Sequence, residues 1–153
     1  MRKDHRRSTF RKFFHIWAKE IWAYNFLLAV CLPSCKLVQR WPVSTGQDSY
    51  TSLPYYRRKI IAKVRCSSHN LEIEKGRHKN QNRDKRFCLL CQERAIEDET
   101  HFLSSCQIYN TIRRTHGYAT KSPQDIMNDD NQNNLSIFLS KCFRLREKML
   151  KPK

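Results

Sequence analysis

The sequence predicts a mainly α fold: a small helical domain organised around a CCHC zinc-held turn and helix, with room for a short β-hairpin between Cys88 and Ala95. Three observations lead there. Only three glycines occur in 153 residues, where average usage would supply roughly ten, and tight hairpins draw on the positive φ that glycine supplies. Apolar residues recur at the three- and four-residue spacing of one helix face in several stretches. Between positions 88 and 106, three cysteines and a histidine stand at metal-ligand spacing.

Charge narrows the function classes. With 30 Lys+Arg against 14 Asp+Glu, the formal charge is +16, far more than solubility requires and of the sign that meets polyanions. The charge is uneven: residues 1–40 hold nine basic and two acidic side chains, and residues 41–87 hold eleven and four. Residues 88–106 reverse the sign, with Arg94 against Glu93, Glu97, Asp98 and Glu99. A length of 153 residues excludes polymerase-sized machinery. Seven cysteines, an odd number, exclude a fully paired disulfide framework within one chain. The expected compartment is therefore intracellular, nuclear or cytoplasmic, and not a secreted one.

Four segments follow in order. Residues 1–35 read as a basic and apolar helix from about Ser8, where Phe10, Phe13, Phe14, Trp17, Ile21, Tyr24 and Leu28 keep one face until Pro33 stops it. Its apolar stretch, Ile21 to Leu32, is short of the ~20 residues that cross a bilayer, so a core or partner-packing helix is preferred and membrane association is unlikely. Residues 36–52 form a linker rich in turn residues. Residues 53–120 begin with a second helix near Pro54, whose stripe is Leu53, Tyr56, Ile60, Ile61 and Val64, and Gly76 reads as the end of the next element. Residues 121–153 open on Ser122-Pro123-Gln124-Asp125, a helix start with its cap, its proline and its acidic third residue. After a polar loop at 128–134, a last helix aligns Leu135, Phe138, Leu139, Cys142, Leu145 or Arg146, and Met149.

The chemistry concentrates in Cys88-Leu89-Leu90-Cys91, His101 and Cys106, a C-x2-C-x9-H-x4-C set. A tight turn can aim two thiolates two residues apart at one ion, and a histidine and cysteine five apart span about one and a half helical turns. Three thiolates and an imidazole suit zinc better than magnesium or calcium, which prefer oxygen, and four ligands leave no open position for water, so the site is structural. A helix is expected over Ile96 to His101 with its acidic residues in the first turn, where they could orient the imidazole or pair with arginines. Cys66, His69, His78 and His116 are read as ordinary polar or core residues, and Cys31 and Cys35 as core or incidental thiols.

These residues resemble a known family. The run Leu53-Pro54-Tyr55-Tyr56-Arg57-Arg58-Lys59, continuing through Ile60, Ile61 and Val64 to Arg77, looks like the segment ahead of the zinc-binding motif at the carboxyl end of animal non-LTR retrotransposon reverse transcriptases. Arg86-Phe87-Cys88-Leu89-Leu90-Cys91, then Ile96 to Cys106 with Tyr109 and Arg113 beyond, is similar to that family's cysteine and histidine module, and Leu135 to Phe143 looks like its usual end. The resemblance runs from about Lys36 to Lys148. It implies that Cys88, Cys91, His101 and Cys106 bind zinc and that the module helps a parent polymerase hold RNA or target DNA. It carries no catalysis: a polymerase site needs paired aspartates on a hairpin between apolar strands, and Met127-Asn128-Asp129-Asp130 sits among amides, as a loop and helix cap.

The expected function is accordingly a non-catalytic zinc module that binds RNA or DNA with low sequence specificity. Arg57, Arg58, Lys59, Lys63, Arg65, Arg77, Lys79, Arg83, Lys85 and Arg86 are the candidate phosphate contacts. Tyr55, Tyr56, Phe87 and Tyr109 are assigned first to core packing and only second to stacking on unpaired bases. The competing expectation is a zinc-held surface for a protein partner; a third is a membrane-associated protein using Ile21 to Leu32.

Overall fold

Helices account for nearly all regular structure in the computed structural model, which describes residues 50–151. The expected N-terminal helix, Cys31, Cys35 and all but the end of the linker lie outside the described residues. The elements are α1 (Tyr55–Arg65), α2 (Glu72–His78), α3 (Asn110–Thr115), α4 (Pro123–Met127) and α5 (Gln132–Leu150), with short 3-10 turns at Arg83–Lys85 and Gln107–Tyr109. A helical segment also begins at Glu99 and widens to π geometry over His101–Ser105. Among the described residues there is no strand: the hairpin is reduced to one antiparallel bridge between Phe87 and Ile96. No helix among the described residues is long and apolar enough to cross a membrane.

The way three helices end explains how the chain turns with so little glycine. After α1, Ser67 adopts φ +48 while the amides of Ser67 and Ser68 bond the carbonyls of Val64 and Lys63. After α2, Asn80 (φ +52) and Gln81 bond Arg77 and Gly76 in the same way, and after α3, Gly117 (φ +74) and Tyr118 bond Arg114 and Arg113. Each is a Schellman closure, which satisfies carbonyls that a helix end leaves bare. Contrary to the expectation from the sequence, Gly76 does not end an element; it lies inside α2. A Cβ there would stand 2.6 Å from Cγ of Arg86, so the glycine admits the arginine that crosses it. The Ser122 cap is present as expected, with both halves of the capping box made between Ser122 and Asp125. The polar loop is shorter than 128–134, because α5 starts at Gln132 with Asn131 as its cap.

α1 packs along α5. Leu53, Ile61 and Val64 meet a core that includes Leu71, Phe102, Leu103, Tyr109, Tyr118, Ile126, Met127, Leu135, Phe138, Leu139 and Cys142. Phe102 sits edge-on to Tyr109 at 5.0 Å between centroids, and Tyr118 edge-on to Phe138 at 4.9 Å. Such pairs add to the burial of apolar area itself. The stripe of α5 matches expectation through Cys142, and the next position is then settled: Arg146 is buried, Leu145 half-buried and Met149 exposed.

Arg146 is buried because a carboxylate lies under it. Its Nε and Nη2 donate to the two oxygens of Glu97 at 2.8 and 2.7 Å, and Nη2 also reaches Glu72 at 3.2 Å. Removing one member of a buried pair leaves the other charge unmatched in low dielectric. Arg146→Ala is expected to lower unfolding free energy by about 3–5 kcal/mol, read by urea titration at fixed metal concentration; a loss below ~1 kcal/mol would show that the pair contributes little.

Candidate metal centre

The four donors come from two short pieces of chain, each shaped by an identifiable constraint. The first is the hairpin. The Cys88 amide donates to Ala95 O at 2.8 Å and the Glu97 amide to Arg86 O at 2.9 Å, closing a loop whose return passes through Arg94 at φ +50. This positions Cys88 beside the bridge and Cys91 in the loop. The expected helix over Ile96 to His101 is corrected accordingly: Ile96 belongs to the bridge, Glu97 turns inward, and the helix begins at Glu99. Asp98 Oδ1 accepts from the His101 amide at 2.9 Å, the bond of a capping side chain.

The second piece is the wide turn. On a regular α-helix, residues five apart point about 140° away from each other, so His101 and Cys106 would diverge. Here the Cys106 amide bonds His101 O at 2.8 Å, an i to i+5 closure, and Cys106 itself is extended at φ −61, ψ 120. The π turn, a form often found at functional sites, returns the thiol to the side of the imidazole. Arg113, buried in the core, donates to the Cys106 and Leu103 carbonyls and holds that turn closed.

The outcome is convergence. One ligand atom from each of Cys88, Cys91, His101 and Cys106 lies within 4.8 Å of the others, with Cys91 Sγ 3.3 Å from His101 Nε2. An ion with tetrahedral bonds of ~2.3 Å spaces its donors by about 3.8 Å, so the four lie close enough to bind a metal ion. Among the described residues this is the one group with that geometry. The donor set, soft and borderline, is consistent with zinc. Cys66, His69, His78 and His116 stand outside it, as expected.

The electrostatics show what such crowding does. A hydrogen bond from the Cys106 thiol, with further help from His101, draws Cys88 down to about 3 despite burial. Cys106 is pushed up, by the Cys88 thiolate and by burial; Cys91 is raised chiefly by burial; and the thiolate at Cys88 raises His101. The Cys88 thiolate thus raises the proton affinity of the groups gathered around it. Thiol ligands bind a metal as thiolates, so uptake of a divalent cation is expected to release protons.

The acidic residues nearby support the centre without joining it. Glu97 Oε1 lies 3.9 Å from Cys88 Sγ, while its other oxygen accepts from the Glu72 amide at 2.8 Å at the start of α2. Glu97 thereby joins the hairpin, α2 and, through Arg146, α5. Glu99 bonds His69 at 3.0 Å and Ser67 at 2.5 Å; burial opposes its charge, but these bonds hold it down at about 2. The sequence pointed to carboxylates pairing with arginines, and Glu97 and Asp98 do so.

The expected phosphate contacts divide. Lys59, Lys63, Arg77, Lys79, Arg83 and Lys85 are exposed, although Arg77 pairs with Glu74 at 2.5 Å and Arg83 with Asp98 at 3.5 Å. Arg57 and Arg58 are half-buried. Arg65 and Arg86 turn inward: Arg65 donates to Met127 O at 3.1 Å and Gln132 at 3.3 Å, and Arg86 to Gln81 O and Ile73 O at 2.6 and 2.9 Å. Tyr109 packs in the core as expected, whereas Tyr55, Tyr56 and Phe87 are exposed, contrary to their first assignment. Asp129 accepts from the Tyr118 hydroxyl at 2.6 Å and the Asn131 amide at 2.9 Å, a loop role as expected, while the cap of α5 is Asn131 and not an aspartate.

A closed set of three cysteines and one histidine on a helical scaffold defines the class of site. Comparison with protein-family models, with curated proteins and with solved structures gave no match for this chain. The geometry predicts that the purified protein carries one zinc per chain by mass spectrometry and that Cys91→Ser loses most of it; equal zinc in both proteins would contradict the site.

Proposed function

We propose that this chain is a non-catalytic, zinc-held module that binds nucleic acid, of the kind that closes the carboxyl end of animal non-LTR retrotransposon reverse transcriptases. The convergence of Cys88, Cys91, His101 and Cys106 carries the reading. Zinc would be held by those four side chains and would supply structure, since four protein ligands leave no position for an activated water. Its contribution is folding free energy, as in zinc-finger peptides.

Basic side chains outnumber acidic ones on the exposed surface of α1, α2 and the segment leading to the hairpin, where Asp84 is exposed as well. Lys59 and Lys63 lie on α1, Arg77 on α2, and Lys79, Arg83 and Lys85 on the segment leading to the hairpin. Contacts of this kind act through released counterions and read no bases, which fits low sequence specificity. Arg65 and Arg86 belong to the fold and are dropped from the contact surface. A second reading, a docking surface for a protein, is favoured by Leu89 and Phe87, both exposed on the hairpin.

Salt separates the two. Affinity for RNA or DNA probes is expected to fall about a hundredfold or more between ~50 and ~200 mM salt, and Lys63→Gln to flatten the log-log slope by about one unit, both measured by fluorescence anisotropy. Flat salt dependence, or capture of a stoichiometric protein partner after nuclease treatment without any probe binding, would overturn the nucleic-acid reading.

A further inference from the structure

Two tyrosines begin α1, and both remain in solvent: Tyr55 is 49% exposed and Tyr56 65%. A helix that packs one side on α5 has room to bury a large ring, so leaving two adjacent rings outside forgoes apolar burial. Each ring has a cation beside it. Lys59, one turn along the helix, places Nζ 5.9 Å from the centre of the Tyr55 ring, and the Arg57 guanidinium lies 5.7 Å from that of Tyr56. Arg57 is itself held, donating through Nε to the Tyr56 hydroxyl at 3.3 Å and through Nη1 to Asn133 Oδ1 of α5. The Tyr56 ring is therefore fixed to the body of the protein through two hydrogen bonds.

α1 contains no acidic residue, and Lys63 continues its exposed basic side. Rings flanked by cations offer two things at once: a flat apolar face for a base and a positive charge for the phosphate beside it. A duplex presents phosphates but keeps its base faces stacked inside, so only an unpaired strand uses both. A ring held as Tyr56 is held also loses less conformational freedom on binding.

We infer that the outer face of α1 is a platform for single-stranded nucleic acid, with Tyr55 and Tyr56 stacking on successive unpaired bases and Lys59 and Arg57 meeting the adjoining phosphates. This rests on the nucleic-acid reading above and names the form of ligand that reading leaves open. Stacking of this kind sets no sugar preference, since a base offers the same face in RNA and DNA.

The test uses the full chain loaded with zinc and labelled oligonucleotides of one mixed sequence, as single-stranded DNA, single-stranded RNA and duplex DNA, followed by anisotropy. At least one single strand is expected to bind more tightly than the duplex. Tyr55→Ala with Tyr56→Ala should weaken that binding at least about tenfold and change duplex binding little, while the double phenylalanine variant retains it. Because both rings are exposed, circular dichroism and zinc content should match the parent protein. Duplex binding as tight as the single strands, or an alanine variant that binds single strands like the parent, overturns the platform but leaves nucleic-acid binding standing. Failure to bind any of the three probes removes both readings.

Discussion

Three thiols and an imidazole gathered within 4.8 Å of one another compete for protons. Cys88 is drawn toward its thiolate, while Cys106, Cys91 and His101 are each pushed toward holding a proton. A divalent ion resolves the conflict because it takes every sulfur as thiolate and the imidazole as neutral ligand. Everything nearby serves to keep the donors together: a bridge reduced to one pair, a left-handed Arg94, a cap from Asp98, a π turn, and an arginine on the Cys106 carbonyl. None of these alone would bring the four donors together.

The centre is also wired into the body of the fold through Glu97. That carboxylate stands beside Cys88, accepts from the first amide of α2, and binds Arg146 toward the C-terminal end of α5. α5 in turn carries α1 on its side. The basic and aromatic face of α1 thus owes its position to the same scaffold that positions the sulfurs. Loosening of the hairpin would reach that face through Glu97, which the hairpin holds, and Arg146, which Glu97 holds. The coupling is mechanical and needs no direct contact between the donors and α1.

How much of this the residues announced beforehand depends on whether the signal was local. The capping box at Ser122 and the stripe Leu135, Phe138, Leu139 and Cys142 were legible, because a cap and a helix face are written within one turn or at fixed spacing. The four donors were legible for the same reason. What could not be read concerns partners far away in sequence. Arg86 looked like a phosphate contact until the carbonyls of Gln81 and Ile73 were found around it, and Gly76 looked like a helix end when its lack of a side chain serves Arg86. Arg146 competed with Leu145 for the buried position, and only Glu97, 49 residues earlier, decides between them. Core packing was the expectation for Tyr55 and Tyr56, the latter as part of the apolar stripe, yet α1 buries Ile61 and Val64 and leaves both rings out. The hairpin had a local signal that was underused: Phe87 and Ile96 flank the first cysteine pair and its turn as a bridge requires.

The central claim is that one ion sits among Cys88, Cys91, His101 and Cys106, and its coordination shell is the direct readout. X-ray absorption at the zinc edge of the loaded protein should show about three sulfurs near 2.3 Å and one nitrogen near 2.0–2.1 Å. A shell made only of nitrogen and oxygen, or one with fewer than two sulfurs, would contradict the account.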